Sequence, residues 1–291
     1  MDLPAGTQFK QALLQESPLQ IVGAINPYCA LLAEQAGFKS IYLSGAGVAN
    51  AQYGMPDLGM ITLTEVVQEA RKITNISKLP LLVDVDTGFG DILNVERTIR
   101  ELERAGAAAV HLEDQIMSKR CGHRDNKKVI SCADMVEKIK IATSAKKHPD
   151  FTIMARSDAV AIEGLSKAID RMQKYVEAGA NMIFAEALYD LEDYKTVTDN
   201  INVPVLANIT EFGKTPLFTV EELASVNIQL VLYPLSAFRA MSKAATEVYT
   251  AIRKQKTQKD CLSDMQTREE LYKTLDYYSY EQKLEDFLSN N

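Results

Sequence analysis

The stretch Lys119-Arg120-Cys121-Gly122-His123 sets one cysteine among three side chains that can carry positive charge, with a glycine that lets the backbone bend. A thiol's protonation follows the charge around it, so acid, base and nucleophile roles are all open to Cys121. Lys119, Arg120 and His123 are expected to favour its thiolate. The stretch begins a few residues after Glu113-Asp114, a carboxylate pair that closes an apolar run. That context reads as an active-site loop rather than a basic surface patch. A cysteine-nucleophile hydrolase is the poorer reading, because His123 stands two residues from Cys121 and no Asn or Asp is identifiable as its orienting partner.

A second group is Asp84-Val85-Asp86, followed by Thr87-Gly88-Phe89-Gly90. Strand side chains alternate, so two aspartates spaced this way put both carboxylates on one side of a strand end. Gly88 and Gly90 permit close backbone approach. Hard oxygen donors without soft ones suit Mg²⁺ or Mn²⁺; an N-cap followed by a turn-stabilising aspartate is the competing reading. Glu113 and Glu186 are candidates for orienting metal-bound water or for acid/base work, or else for salt bridges to a strand-end Arg or Lys. Arg156 suits two-pronged recognition of a carboxylate or phosphate, or a structural bond to Asp158 or Glu186. Asn208-Ile209-Thr210 offers an amide and a hydroxyl to a carboxylate, or caps its own loop. Arg239 and Arg268, taken singly, read as surface arginines. His111 lies within an apolar run and is expected to be a satisfied core histidine; His148 is expected to face solvent. Cys29, Cys132 and Cys261 are read as structural or incidental.

These residues need a scaffold that gathers strand ends. Three segments repeat a helix end, Ala-Gly and an apolar run: Ala36-Gly37 before Ile41-Tyr42-Leu43, Ala105-Gly106 before Val110-His111-Leu112, and Ala178-Gly179 before Met182-Ile183-Phe184. Glycine supplies the left-handed turn that stops a helix, and a short apolar run suits a buried parallel strand. Eight strands are expected at about 20–24, 40–43, 80–84, 108–112, 151–155, 181–185, 203–207 and 229–232. Helices are expected at about 64–75, 94–105, 131–147, 163–178 and 236–255, with Ser131 as an N-cap. The alternation predicts an α/β fold, a (β/α)8 barrel with a helical C-terminal extension. An open doubly wound sheet is the runner-up, weakened because no G-x-G-x-x-G follows the first strand. The barrel with an N-terminal helix is assigned to 1–253. The extension, 254–291, opens with a lysine-rich linker and continues as one or two helices over 267–289. Its Tyr272, Tyr277, Tyr278 and Tyr280 are expected to pack on the barrel or on a neighbouring subunit. Ser44-Gly45, Asp84 and Asp86, Glu113-Asp114, Arg156 and Asp158, Glu186, and Asn208 all follow strands, and a barrel brings such ends to one face.

The chain has 291 residues, 46% of them hydrophobic, enough for a sizeable core. A net charge of -7 disfavours a nucleic-acid partner and leaves an anionic small molecule open, because binding sites are local. Four cysteines without C-x-x-C spacing argue against a disulfide scaffold and, with three histidines, against structural zinc. A reducing cytoplasm is the expected location. No signal peptide is expected at the N-terminus, and no apolar run approaches the roughly 20 residues of a membrane span.

The loop Lys119–His123, with Val83-Asp84-Val85-Asp86-Thr87-Gly88-Phe89-Gly90 and Leu112-Glu113-Asp114-Gln115, resembles the isocitrate lyase / phosphoenolpyruvate mutase superfamily. The resemblance runs over nearly the whole chain. It extends to Tyr42-Leu43-Ser44-Gly45, Pro56-Asp57, Met154-Ala155-Arg156, Ala207–Gly213, Tyr233–Arg239 and Met265-Gln266-Thr267-Arg268. It implies a barrel whose eighth helix is exchanged between subunits of a homotetramer. It implies Mg²⁺ near Asp84 and Asp86, with Asp57 and Glu113 supporting the ion through water. Contacts to a tricarboxylate substrate are implied for Ser44, Gly45, Ala46, Cys121, Gly122, Arg156, Glu186, Asn208, Ile209, Thr210, Arg239 and Arg268. Ala46 departs from the pattern, since relatives often carry glycine there. The Lys-Arg-Cys-Gly-His wording favours the branch that cleaves methylisocitrate to pyruvate and succinate in propionate catabolism. Lyases for isocitrate or dimethylmalate, and a non-catalytic binding relative, are the alternatives. The implied chemistry has a base, Tyr42 or a carboxylate acting through metal-bound water, remove a hydroxyl proton. Groups such as Lys119 and His123 stabilise the resulting carbanion, and Cys121 protonates it under a loop hinged at Gly122.

Overall fold

The eight apolar runs form eight parallel strands: β1 (Leu19–Gly23), β2 (Ser40–Leu43), β3 (Leu81–Asp84), β4 (Ala109–Glu113), β5 (Thr152–Ser157), β6 (Met182–Ala185), β7 (Val205–Asn208) and β8 (Leu230–Tyr233). In this computed structural model, which describes residues 3–289, they pair in sequence order. β1 closes on β8 through Leu19↔Leu230, so the sheet is a closed barrel. The (β/α)8 expectation holds, and closure removes the open-sheet alternative. Gly37, Gly106 and Gly179, the three repeated helix ends, all carry positive φ and stop their helices as expected. The helix Cys132–Ala145 starts as expected: the Ser131 side chain accepts from the Asp134 N–H.

Residues up to Phe238 form one compact unit and residues from Arg239 form a second. The sequence reading had placed the division after residue 253, and the helix Ser236–Gln255 spans both positions. Within the second unit lie a 3₁₀ turn, Lys259–Asp264, and two helices, Arg268–Thr274 and Tyr277–Ser289. Tyr272 stacks on Tyr277 with ring centroids 4.2 Å apart.

The period-2 alternation of strands divides the first unit's core. One set of residues, including Ile41, Leu43, Leu81, Val83, Val110, Leu112 and Ile153, belongs to the layer shared with the helices. The other set, Leu19, Ile21, Tyr42, Leu82, Ala109, Met154, Phe184, Leu206 and Leu230, fills the barrel interior. Phe9 and Ala12 of the helix Ala5–Gln15 join this inner cluster, and Phe9 is fully buried. Advancing two residues along the strands from Tyr42, Leu82, Met154, Phe184 and Leu206 gives Ser44, Asp84, Arg156, Glu186 and Asn208. The interior therefore changes from apolar to charged toward the strands' C-terminal ends.

Phe9→Ala removes an aromatic ring from the inner cluster and is expected to destabilise the protein by about 3–5 kcal/mol, as buried Phe truncations do. Urea unfolding followed by circular dichroism measures it. A loss below about 1 kcal/mol would mean that the N-terminal helix is not part of the barrel core.

Candidate active site

The charged layer is built on a pair of aspartates. Asp84 ends β3, and Asp86 lies beyond the strand with φ 48°, a left-handed conformation that aspartate tolerates better than most residues. The two carboxylates are therefore brought together by a turn, which corrects the expectation of simple strand alternation. The Asp86 N–H donates to Asp84 Oδ1 at 3.0 Å, and the Gly45 N–H donates to Asp84 Oδ2 at 3.0 Å. A methyl group on Gly45 would stand 3.1 Å from both Asp84 Oδ2 and Asp86 Oδ1, so both oxygens aim at one small volume. Burial and the Asp84 charge push Asp86 up to about 7, with Lys119 pulling the other way. Burial would raise Asp84 too, but His111, Lys119 and Arg156 bring it down to about 2. Glu113, also buried, has an Oε1 with no hydrogen-bond partner among the described residues. Burial raises its pKa, against the pull of Arg156.

Hard oxygen donors, two carboxylates aimed at one volume and an unsatisfied third carboxylate together fit Mg²⁺. This ion binds through few carboxylates and keeps water or substrate oxygens. Among the described residues no group of three or more His, Cys, Asp or Glu side chains converges as a metal site.

The loop after β4 carries Cys121. Its neck is paired: Gln115 and Val129 bridge, Ile116 N–H donates to Lys128 O at 3.0 Å, and Ile130 N–H donates to Asp114 O at 2.8 Å. Gly122 is buried against Glu186 and Arg156. A Cβ there would overlap the Glu186 carboxylate and stand 2.5 Å from Arg156 Nη2, so only glycine fits. The loop cations do not surround the sulfur. Lys119 Nζ lies 2.6 Å from Asp86 Oδ1 and also bonds Asp57. His123 Nε2 lies 2.9 Å from Glu186 Oε1, while its Nδ1 accepts the Lys214 N–H at 3.0 Å, which sets the ring proton on Nε2. The Arg120 backbone is tied at both N–H and carbonyl to the Gln115 side chain. Cys121 keeps part of its surface in solvent. Its thiol is nonetheless pushed up, first by burial and then by Glu186, while the His123 N–H and Arg156 pull it down. The expected thiolate is therefore corrected: burial, with Glu186 adding to it, favours the thiol.

Arg156 occupies the centre of the layer. Its Nε and Nη2 donate to Asp158 at 2.9 and 3.2 Å, its Nε lies 3.3 Å from Glu113 Oε2, and the guanidinium stands 5.0 Å over the Phe184 ring. Burial opposes its charge, but Asp158, Glu186 and Glu113 outweigh that and hold it protonated. Burial likewise opposes the Glu186 charge, and Arg156 and His123 hold that carboxylate well below its ordinary range. Asn208 Nδ2 donates to both Glu186 oxygens at 3.3 and 3.4 Å, and its Oδ1 has no partner among the described residues. Ile209 gives its N–H to Leu232 O and Thr210 is half-buried. Ser44 caps the short helix Gly45–Gly47 by accepting from the Gly47 N–H, and Ala46 within that helix is half-buried. Arg239 and Arg268 belong to the second unit, Arg268 as the first residue of its helix.

His111 exceeds its sequence reading. It is buried, as expected, and its Nε2 lies 2.9 Å from the Tyr42 hydroxyl, which lies 3.3 Å from Asp84 Oδ2. With the proton on Nε2 the imidazole donates to Tyr42 and Tyr42 donates to Asp84, leaving no donor proton unpaired. Burial lowers His111 to about 4, so the ring is neutral. The signal was its position two residues before Glu113, on the same strand face. The supports of Asp114 had no such signal: its oxygens accept from Ser157 Oγ, the Asp158 N–H and Tyr175 OH at 2.8, 2.9 and 2.9 Å.

Comparison with known proteins matches residues 9–253 to the phosphoenolpyruvate phosphomutase family. A 2-methylisocitrate lyase of Vibrio cholerae is 53% identical, over 99% of this chain and 96% of its own length. A 2-methylisocitrate lyase of Escherichia coli is 54% identical, over 98% and 97%. Among solved structures, 2,3-dimethylmalate lyase superposes with a TM-score of 0.89 at 30% identity, covering 96% of this chain and 95% of that one. A phosphonopyruvate hydrolase complex with oxalate and Mg²⁺ gives 0.85 at 27%, covering 96% and 98%.

Alkylation requires the thiolate, so a raised thiol pKa moves the reaction to higher pH. The rate of Cys121 modification by iodoacetamide, read on the loop peptide by mass spectrometry, is expected to reach its midpoint above pH 9.0, the ordinary thiol value. Glu186→Gln removes a raising charge and should move that midpoint down. A wild-type midpoint below 9.0 would contradict the electrostatics of this loop.

Proposed function

The chain belongs to the phosphoenolpyruvate phosphomutase family, and we propose that it is a Mg²⁺-dependent carbon–carbon lyase cleaving (2R,3S)-2-methylisocitrate to pyruvate and succinate. The observation that carries the reading is the Cys121 loop. Its thiol is kept protonated and its Gly122 is packed on Arg156 and Glu186, in the same charged layer as the Asp84/Asp86 pair. The relatives named 2-methylisocitrate lyase, at 53% and 54% identity over nearly the full chain, favour methylisocitrate over isocitrate or dimethylmalate.

Asp84 and Asp86 would hold the ion, with Asp57 and Glu113 around them. When bound it supplies Lewis-acid polarisation of the substrate hydroxyl and carboxylate, and positive charge that eases deprotonation of Tyr42. Tyr42 is the proposed base. Without such charge, burial and Asp84 hold its phenol well above the ordinary value, while the His111 N–H aimed at its oxygen favours the phenolate. Loss of the hydroxyl proton lets the oxygen electron pair form the carbonyl of pyruvate as the carbon–carbon bond breaks. The bonding pair stays on the carbon that becomes part of succinate and is delocalised into its neighbouring carboxylate. Lys119 and His123, with Arg156 and Asn208, are the groups proposed to balance that charge. Cys121 then gives its proton to the carbon and becomes the thiolate. The backbone at Ser44, Gly45 and Ala46, the groups of Ile209 and Thr210, and Arg239 and Arg268 complete the proposed substrate contacts.

The proposed assembly is a homotetramer in which the helix Ser236–Gln255 is exchanged between subunits. No residue of that helix is buried within the chain, and it exposes Met241, Tyr249 and Ile252. Sedimentation equilibrium should give four times the 32.3 kDa chain mass; a monomer would overturn the assembly. Among the described residues no helix is long and apolar enough to cross a membrane, and all four cysteines are free, which supports the proposed cytoplasmic location.

A coupled assay should detect pyruvate from methylisocitrate with Mg²⁺ and none after chelation. Isocitrate yielding glyoxylate at a higher kcat/KM would replace the proposed substrate. Cys121→Ser should cut turnover by about 10²–10⁴-fold while calorimetry with Mg²⁺ still shows substrate binding. Near-normal turnover in that variant would remove Cys121 as the proton donor.

A further inference from the structure

We propose that Lys127 is a positioning residue that latches the Cys121 loop onto the barrel by carrying a buried charge from the loop to Asp158. The inference rests on the proposed role of the loop but on different atoms. Lys127 Nζ donates to the Gly122 carbonyl at 2.6 Å and to Asp158 Oδ1 at 2.8 Å. Its side chain is 1% exposed and that of Asp158 is 0% exposed. One ammonium thus fastens the loop to itself, across the residues that carry Cys121 and His123, and fastens the loop to the strand end after β5.

The choice of acceptor matters more than the bond itself. Asp158 also receives Arg156 Nε and Nη2, so one carboxylate sets both the loop position and the guanidinium plane. Asp158 cannot drift, because its own N–H is held by Asp114 Oδ1 at 2.9 Å, and Asp114 in turn is held by Ser157 and Tyr175. Lifting the loop withdraws the ammonium from Asp158 and from the Gly122 carbonyl together. A buried carboxylate that loses a charged partner without gaining water resists that separation strongly. Of the loop's other ties, Lys214 to Asp125 at 2.6 Å is mostly exposed at the carboxylate and is expected to contribute little, whereas Lys119 on Asp86 and Asp57 and His123 on Glu186 hold the loop beside the latch without touching Asp158. With two of its donor positions engaged and almost no exposed surface, Lys127 is not placed to bind a substrate carboxylate.

The test uses the full-length enzyme and Lys127→Met, which keeps chain length and packing but removes the charge. Two readouts are taken: amide hydrogen exchange of the loop peptide spanning Lys119–Lys127, read by mass spectrometry, and kcat and KM for methylisocitrate with Mg²⁺. Cys121 is exposed with the loop seated, so the backbone amides rather than the thiol report opening. Their exchange is expected to speed up about tenfold or more as the loop opens. The kcat is expected to fall by about a hundredfold, the scale of a small misplacement of reacting groups, with KM near the wild-type value. Lys127→Arg should recover the greater part of both. Should Lys127→Met fail to unfold cooperatively, Lys127→Gln, which can keep the bond to Gly122 and lacks the charge, is read the same way. Unchanged loop exchange in the charge-free variant overturns the latch, whatever happens to kcat. Exchange needs no substrate, so a wild-type enzyme inactive on methylisocitrate would remove the substrate reading and leave the latch to be decided by the first readout.

Discussion

The guanidinium of Arg156 is the charge on which the rest of this site depends. It is buried among three carboxylates, Asp158, Glu113 and Glu186, and stands over the Phe184 ring. Each carboxylate is almost wholly shielded from solvent and could not keep its charge there alone. Removing one member of such a buried set typically costs about 3–5 kcal/mol, because the groups left behind are unpaired. Gly122 lies against the same guanidinium, so the loop bearing Cys121 is seated on it. Arg156 therefore links the scaffold, the loop and the charge state of the neighbouring acids.

Much of this arrangement is legible in the sequence, because strands count by twos. Met154 and Arg156 share one face of β5, Leu206 and Asn208 one face of β7, and Glu186 follows two places after Phe184, just past the end of β6. A polar residue two places beyond an inward apolar one must lie inside the barrel, one layer nearer its end. The helix–Ala-Gly–strand repeat marks three of the eight strands, and the apolar runs mark the others, all within about two residues of their observed bounds. His111 shows where the same count was not pressed far enough. It precedes Glu113 by two residues and so had to face inward, beside Tyr42, rather than rest in the helix-facing core.

Loops carry no such period, and there the sequence could supply residue types but not directions. Lys119, Arg120 and His123 sit beside Cys121 in the chain, yet Lys119 turns to Asp57 and Asp86, and His123 turns to Glu186. Chain proximity predicted a thiolate. Burial in the folded loop, with the Glu186 charge added, gives a thiol. Lys127 was invisible for the same reason: its partner Asp158 is 31 residues away and is reached only because the loop folds back across β5.

The charge balance of the layer also bears on how it can bind an anion. Asp57, Asp84, Asp158 and Glu186 share Lys119, Lys127 and Arg156, and all three cations are already engaged by carboxylates, while burial raises Asp86 and Glu113 toward their neutral forms. A further anion would find none of these three cations uncommitted. Lys119 bridges Asp57 and Asp86, whereas Lys127 and Arg156 converge on Asp158. The layer's cations thus fall into two groups, Lys127 and Arg156 anchored at Asp158 and Lys119 anchored at Asp57 and Asp86. That division suits a reaction in which the loop must stay in register while charge moves from a hydroxyl to a carbon.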